Sequence, residues 1–228
     1  MDENINYKKE IVDTIQGISG KYNPYQIFRD WCEMYAISIQ NSCVLWHDAI
    51  WQHREDIYNS LWNKYNECEH DAFVKMTGLY SIALNYEIGD ILGEIFMESG
   101  AGNTSAGQFF TPFHLSEMTV KIGVSEDILK EEKIHMTEPS IGSGGMVMAT
   151  AKYLKERGIN YQKKLKVVGQ DLDWLAVYMS YIQLSLLGID AIIVQGDTLK
   201  DPYYNGYPRR RVMRTPRNVG MLIPGWEV

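Results

Sequence analysis

The sequence predicts an α/β fold, part of a doubly wound parallel sheet preceded by a helical N-terminal domain. Three observations carry this. Apolar residues recur at three- and four-residue intervals from about Ile5 to Met97, the period of helices that bury one face. Two short β-branched runs, Lys166–Gly169 and Ala191–Gln195, alternate with helical stretches, the βαβ pattern of a parallel sheet. Between a strand beginning at Ile134 and the helix after it lies Gly142-Ser143-Gly144-Gly145, a turn tight enough to carry a strand directly into a helix.

In the N-terminal part, Asn23-Pro24 supplies a start signal for a helix through Gln26 to Ile39. Further helices are expected over Arg54–Cys68, Asp71–Leu84 and Ile88–Met97. Trp31, Trp46, Trp51 and Trp62 cluster here and predict a separate sub-core. The glycine-rich stretch Gly100–Gly107 reads as a loop or domain boundary. Beyond it come a helix over His114–Ile122 after Pro112, the strand from Ile134, a helix Gly145–Glu156, the strand at Lys166, a helix Leu175–Leu187 and the strand at Ala191. The expected division is residues 1–100 as helical domain, 101–205 as α/β domain and 206–228 as an arginine-rich tail.

Composition narrows the function classes. The 228 residues are 45% hydrophobic and 22% charged, an ordinary globular balance. A formal charge of −7 argues against coating nucleic acid by bulk electrostatics, although local basic patches stay open. Cys32, Cys43 and Cys68 form no Cys-x-x-Cys pair, and no apolar stretch reaches membrane-spanning length, so a cytoplasmic protein without membrane association is expected. Cys68 and His70 lie two apart, but no second ligand pair follows at finger-like spacing, and no metal site is expected.

In a parallel sheet, ligands bind outside the carboxyl ends of the strands, where glycine lets backbone approach and a helix presents free N–H groups. The turn Gly142–Gly145 fits that place. Asp171 follows Gly144 by 27 residues, at the end of the second strand, where a carboxylate commonly takes ribose hydroxyls. It could instead cap the helix that begins near Trp174; for Asp173 capping is the favoured reading.

Four ordered motifs, Gly107-Gln-Phe-Phe-Thr-Pro112, Glu138-Pro-Ser-Ile-Gly-Ser-Gly-Gly145, Gly169-Gln-Asp171 and Gly196-Asp-Thr-Leu199, resemble the modification subunits of type I restriction-modification systems, which are N6-adenine DNA methyltransferases. The resemblance covers roughly Gly93 to Asp201, and the preceding helices resemble the helical domain such subunits carry. It implies a Rossmann-like fold and S-adenosylmethionine as cofactor. Carried over by position, Phe109, Thr111 and Pro112 cover its methionine end; Glu138, Ser140, Gly142 and Gly144 belong to the first-strand turn beneath the amino-acid moiety. Asp171 takes the ribose, Leu172 packs on the adenine and Asp197 meets its amino group. The family usually has aspartate and Cys-Gly-Ser-Gly where this chain has Glu138 and Ile141-Gly-Ser-Gly. Phe109 and Phe110 alone would read as core residues.

Methyl transfer in the family also needs Asn or Asp, then Pro-Pro, then an aromatic, to hold a flipped-out base. No Pro-Pro occurs in this sequence. Asp201-Pro202-Tyr203-Tyr204 is similar in letters, but it follows Asp197 by four residues, without an intervening strand or a second proline. The catalytic residues are therefore left unassigned, with these four as weak candidates. The resemblance implies DNA as a partner through a complex, with a specificity-type subunit, a second methyltransferase subunit or another copy of the chain completing the site. The arginines at 209, 210, 211, 214 and 217 fit either a phosphate- or acid-binding segment or a solvated tail.

Overall fold

The computed structural model describes residues 6–100, 110–203 and 207–221. Its first part is helical: α1 (Tyr7–Gly17), α2 (Pro24–Ser42), α3 (Ala49–Trp62), α4 (Glu67–Tyr86) and α5 (Ile91–Glu98). Polar caps set these boundaries. Asn23 accepts from the Gln26 N–H at 2.8 Å, with Pro24 in the first helical position, as its letters predict. Asn66 and Glu69 form a reciprocal capping box at the start of α4. That box corrects the expected helix Arg54–Cys68: α3 starts five residues earlier, where Asp48 accepts from Ile50 and Trp51, and stops at Trp62, because Asn66 begins a new helix.

The second part contains α6 (Phe113–Gly123), α7 (Glu126–Lys130), β1 (Ile134–Glu138), α8 (Gly145–Glu156), α9 (Tyr161–Lys164), β2 (Leu165–Asp171), α10 (Trp174–Leu186), β3 (Asp190–Gln195) and β4 (Val212–Arg214). The sheet order is β1-β2-β3-β4, parallel through β3. Strands added in one direction with right-handed crossovers put α8 and α10 on the same face, which is one half of a doubly wound arrangement.

α10 joins the two parts. Every residue from Leu175 to Ser185 is buried, so it has no solvent face. A helix apolar all round must be covered all round, and it lies between β2 and β3 on one side and α2 on the other. The expected separate sub-core is accordingly absent: Trp31, Tyr80 and Phe96 belong to one contiguous core with Leu175, Tyr181 and Ile193. Trp31 is buried, its indole N–H donating to Thr77 at 3.1 Å, whereas Trp46 is exposed. His70 stacks on Trp62 with ring centroids 3.7 Å apart and bonds the Trp62 carbonyl.

The arginine-rich segment departs from a solvated tail. After a 3-10 turn at Arg209–Arg211, β4 pairs antiparallel with β3 and buries Met213 opposite Ile193. A three-residue strand between arginines has too little alternation to be read from sequence. Thr215 secures it: its hydroxyl donates to the Ile189 carbonyl at 2.7 Å and accepts from the Ala191 N–H at 3.0 Å. Thr215→Val keeps the shape and removes both bonds inside a buried site. Urea unfolding is expected to show a loss of about 1–3 kcal/mol, with faster amide exchange at Ala191; an unchanged midpoint would mean that β4 is held by packing alone.

Candidate functional site

A cavity of about 400 Å³ opens at the carboxyl ends of β1 and β2, lined by Phe110, Thr111, Ser116, Glu138, Ser140, Ile141, Gly142, Ser143, Gly145, Met146, Asp171 and Ala176. The turn after β1 forms its floor. Gly142 and Gly144 adopt φ of +55° and +95°, which a side chain would strain, and these two reversals aim the N-terminus of α8 back toward the strand ends.

Asp171 closes the turn onto β2. One carboxylate oxygen accepts from the Gly142 N–H at 2.9 Å and the other from the Asp173 N–H at 3.0 Å. A carboxylate offers about four acceptor positions, so roughly two stay free toward the cavity. Asp173, not Asp171, caps α10 by accepting from the Leu175 N–H at 3.1 Å. Glu138 sits at the end of β1, half-buried; burial pushes its carboxyl above the usual range, the Ser140 N–H opposes this, and the Asp171 charge adds to it. Ser116, on α6, is buried, and its hydroxyl has no partner among the described residues. An unpaired buried hydroxyl on a cavity wall fits a polar ligand.

Below the turn lies Asp90, a buried carboxylate from the helical part. It accepts from the Ser143 hydroxyl, from the Gln183 amide at 2.9 Å and from the Gly93 N–H at 3.0 Å. Burial pushes its carboxyl up while these three bonds hold it down. The Gln183 amide also donates to the Ser143 carbonyl at 2.7 Å, and its oxygen accepts from the Leu92 N–H at 3.1 Å. A Cβ on Gly93 would overlap the Asp90 carboxylate, so the cap needs glycine there.

Of the residues expected at the cofactor, Thr111, Glu138, Ser140, Gly142 and Asp171 converge on the cavity. Gly144 faces Ser180 and Leu184 of α10, and Pro112 stands exposed at the start of α6. Leu172 is exposed and lies outside the cavity lining. Asp197 lies outside the lining and caps the turn after β3, accepting from the N–H groups of Leu199 and Lys200 at 3.0 and 3.2 Å. Phe109 lies outside the described residues. Asp201, Pro202 and Tyr203 are also outside the cavity lining. The Asp201 carbonyl accepts from Gln170 at 2.9 Å and from the Tyr207 hydroxyl, and the Tyr203 N–H donates to Gln170. Tyr204 is not among the described residues.

Sequence reasoning missed Ser116, Ser143, Met146 and Ala176, and it missed Asp90 beneath them. Ser116 had a signal: it sits in the inward-facing row of partly buried Phe113 and buried Ser116 and Val120, where an apolar residue is expected. Asp90 looks like an ordinary helix cap, and nothing local indicates that it reaches 53 residues along the chain to Ser143.

A glycine turn feeding a helix, with a carboxylate on the neighbouring strand end, is an arrangement that nucleotide-binding parallel-sheet folds use. The chain belongs to the N-6 DNA methylase family, whose sequence profile matches residues 87–217. Among solved structures, it is similar to the type I restriction-modification system methyltransferase subunit from Streptococcus thermophilus, at 18% identity and a TM-score of 0.48 over 88% of this chain and 41% of that one. It is also similar to a putative class I S-adenosylmethionine-dependent methyltransferase from Listeria monocytogenes, at 12% identity and a TM-score of 0.43 over 75% of this chain and 55% of that one. The chain thus spans about half or less of either protein's length. Proteins of curated function yield no significant match.

The Asp90 junction makes a contrast between two variants. Asp90→Ala leaves the Gly93 N–H and the Ser143 hydroxyl without their acceptor and strips the Gln183 amide of one of its two, and is expected to cost about 2–4 kcal/mol. Asp90→Asn retains shape and one acceptor and should lose clearly less. Chemical unfolding of both decides it; equal losses would show that the site needs the carboxylate itself, since asparagine keeps its volume.

Proposed function

We propose that this chain is the S-adenosylmethionine-binding part of a DNA adenine N6-methyltransferase, and that a partner subunit or a second copy supplies the base pocket. The observation that carries the reading is the convergence of Glu138, Ser140, Gly142 and Asp171 on one cavity in a chain of this family. When bound, S-adenosylmethionine brings a sulfonium-activated methyl group. Asp171, already anchored by two backbone N–H groups, has acceptor capacity left for ribose hydroxyls. The Glu138 carboxylate faces the amino-acid end and, when ionised, pairs with its ammonium. The N-terminal N–H groups of α8 suit the ligand carboxylate. Thr111, with Phe109 and Pro112, covers the methionine end, and Ser116 offers a further hydroxyl. Leu172 finds its apolar partner in the adenine ring, and Asp197 its donor in the adenine amine. DNA reaches the site through the assembled complex, and the expected setting is the cytoplasm; among the described residues no helix is long and apolar enough to cross a membrane.

A second reading is a relative that binds the cofactor without turning it over and regulates a restriction-modification complex. It is favoured by the position of Asp201, Pro202 and Tyr203, which stand outside the cavity lining. Labelled cofactor and adenine-containing DNA separate the two. Transfer that appears only with an added specificity or methylase subunit supports the first; cofactor affinity without transfer under any pairing supports the second.

Calorimetry tests the cofactor itself. Asp171→Ala is expected to weaken S-adenosylmethionine binding by about tenfold or more, and no binding by the native chain would sink both readings. The pH dependence has a definite sign. Lowering the pH protonates Glu138 and removes the charge that meets the ammonium, so affinity falls toward acid. Because burial raises this carboxyl, the fall begins above the range of an ordinary glutamate, about 4.3. Glu138→Gln should bind more weakly near neutrality and flatten this profile; a profile that keeps its slope in the variant would assign the titration to another group.

A further inference from the structure

The arginine run leaves a second cavity to be explained. It also measures about 400 Å³ and lies between α2, α3, the start of α10 and the Arg209–Arg211 turn. α10 separates it from the first: Ala176 faces one cavity, while Trp174 and Tyr178, two residues to either side and one helical turn apart, face the other. The Gln195 amide donates to the Leu172 carbonyl at 2.9 Å and links the sheet to the turn between the two.

Four guanidinium groups converge on this space, from Arg29, Arg54, Arg210 and Arg211. None of the four has a hydrogen bond or ion pair among the described residues, whereas their neighbour Arg209 is paired with Asp48 at 3.0 Å. The lining holds one carboxylate, Glu33, and it already accepts from the Tyr178 hydroxyl at 2.9 Å. In a chain of net charge −7, four arginines against one carboxylate in the lining make a local excess of positive charge. Arg54 is half-buried; burial, with the like charge of Arg209, works against its cationic form, and Tyr181, Asp48 and Tyr178 only partly offset this. An arriving anion would relieve both effects.

The second feature is an aromatic wall. Trp174 and Tyr178 stack with ring centroids 5.3 Å apart and an interplanar angle of 25°, and the Trp174 indole is partly accessible. Arginines beside an aromatic face match a phosphate joined to a flat base. An acidic peptide would use the charges and leave the wall idle. The volume lies in the range of small-ligand pockets and suits one nucleotide.

We propose that this cavity is a second site, distinct from the cofactor cavity, that binds a nucleoside phosphate, with Arg54, Arg210 and Arg211 on the phosphate and Trp174 against the base. The nucleotide comes either free or as a unit of a single strand.

Calorimetry on the whole chain at low ionic strength tests this with four probes: UMP, inorganic phosphate, a 5′-phosphorylated octathymidylate and a polyglutamate peptide. Pyrimidines keep the probes from mimicking an adenosine cofactor. Binding of UMP is expected, or of the octathymidylate alone where the source is a strand. The double variant Arg210→Ala/Arg211→Ala, both exposed in the native chain, should weaken it by about tenfold or more, and Trp174→Leu should weaken it as well. The proposal is overturned if neither nucleotide probe binds, if binding survives the arginine variant, or if inorganic phosphate or polyglutamate binds as tightly as the nucleotide. These outcomes do not depend on whether S-adenosylmethionine binds.

Discussion

The buried Asp90 carboxylate is the contact on which the site depends. An uncompensated charge in the interior is costly, so Asp90 is tolerated only because Ser143, Gln183 and Gly93 all donate to it. The same requirement acts in reverse on its partners. Gln183 lies inside a helix with no solvent face and satisfies its amide by bonding Asp90 and the Ser143 carbonyl, and its oxygen by accepting from Leu92. The start of α5, the middle of α10 and the glycine turn therefore hold one another in place. Without the helical part, the turn would keep its glycines and lose its support. The N-terminal helices are better regarded as the underside of the cofactor cavity than as an appendage.

This explains what could and could not be read from sequence. Local signals were legible wherever structure is locally determined. Asn23-Pro24 opens α2, the β-branched runs form β2 and β3, and Gly142–Gly145 makes the turn. Elements missed or misjudged are those whose stability comes from distant residues. β4 is three residues long and exists because Met213 is buried opposite Ile193 and Thr215 bonds the start of β3. The break between α3 and α4 was legible in principle, since Asn66 and Glu69 carry capping-box spacing; the apolar periodicity running past it hid the signal.

The candidate site divides in the same way. Glu138, Ser140, Gly142 and Asp171 meet because consecutive parallel strands end at the same level, a property of the topology that motif spacing encodes. Asp197 also stands at a strand end, one strand further away, where its carboxylate is engaged by the backbone of its own turn. Asp171 combines both behaviours: it organises the turn through two N–H groups and retains acceptors for a ligand. For this residue the choice between structural and binding roles, open on sequence alone, is not exclusive, because one carboxylate has capacity for both.

The arginine run illustrates how topology gives meaning to composition. As letters, five arginines near the end of an acidic chain fit many partners. Folding sorts them: Arg209 pairs with Asp48, Arg214 bonds Asn218 from within β4, and Arg210 and Arg211 turn toward Arg29 and Arg54. The antiparallel return of β4 is what achieves this, since it brings the segment back beside β3 and against α3. One helix, α10, then stands between an acidic cavity with Glu138 and Asp171 and a basic cavity with four guanidinium groups. Movement of its first turn would be felt on both sides, through Asp173 capping it and Gln195 holding the Leu172 carbonyl. The two cavities are thus built around a common element of opposite electrostatic surroundings, and the physical route for any coupling between them is the short turn from Asp171 to Trp174.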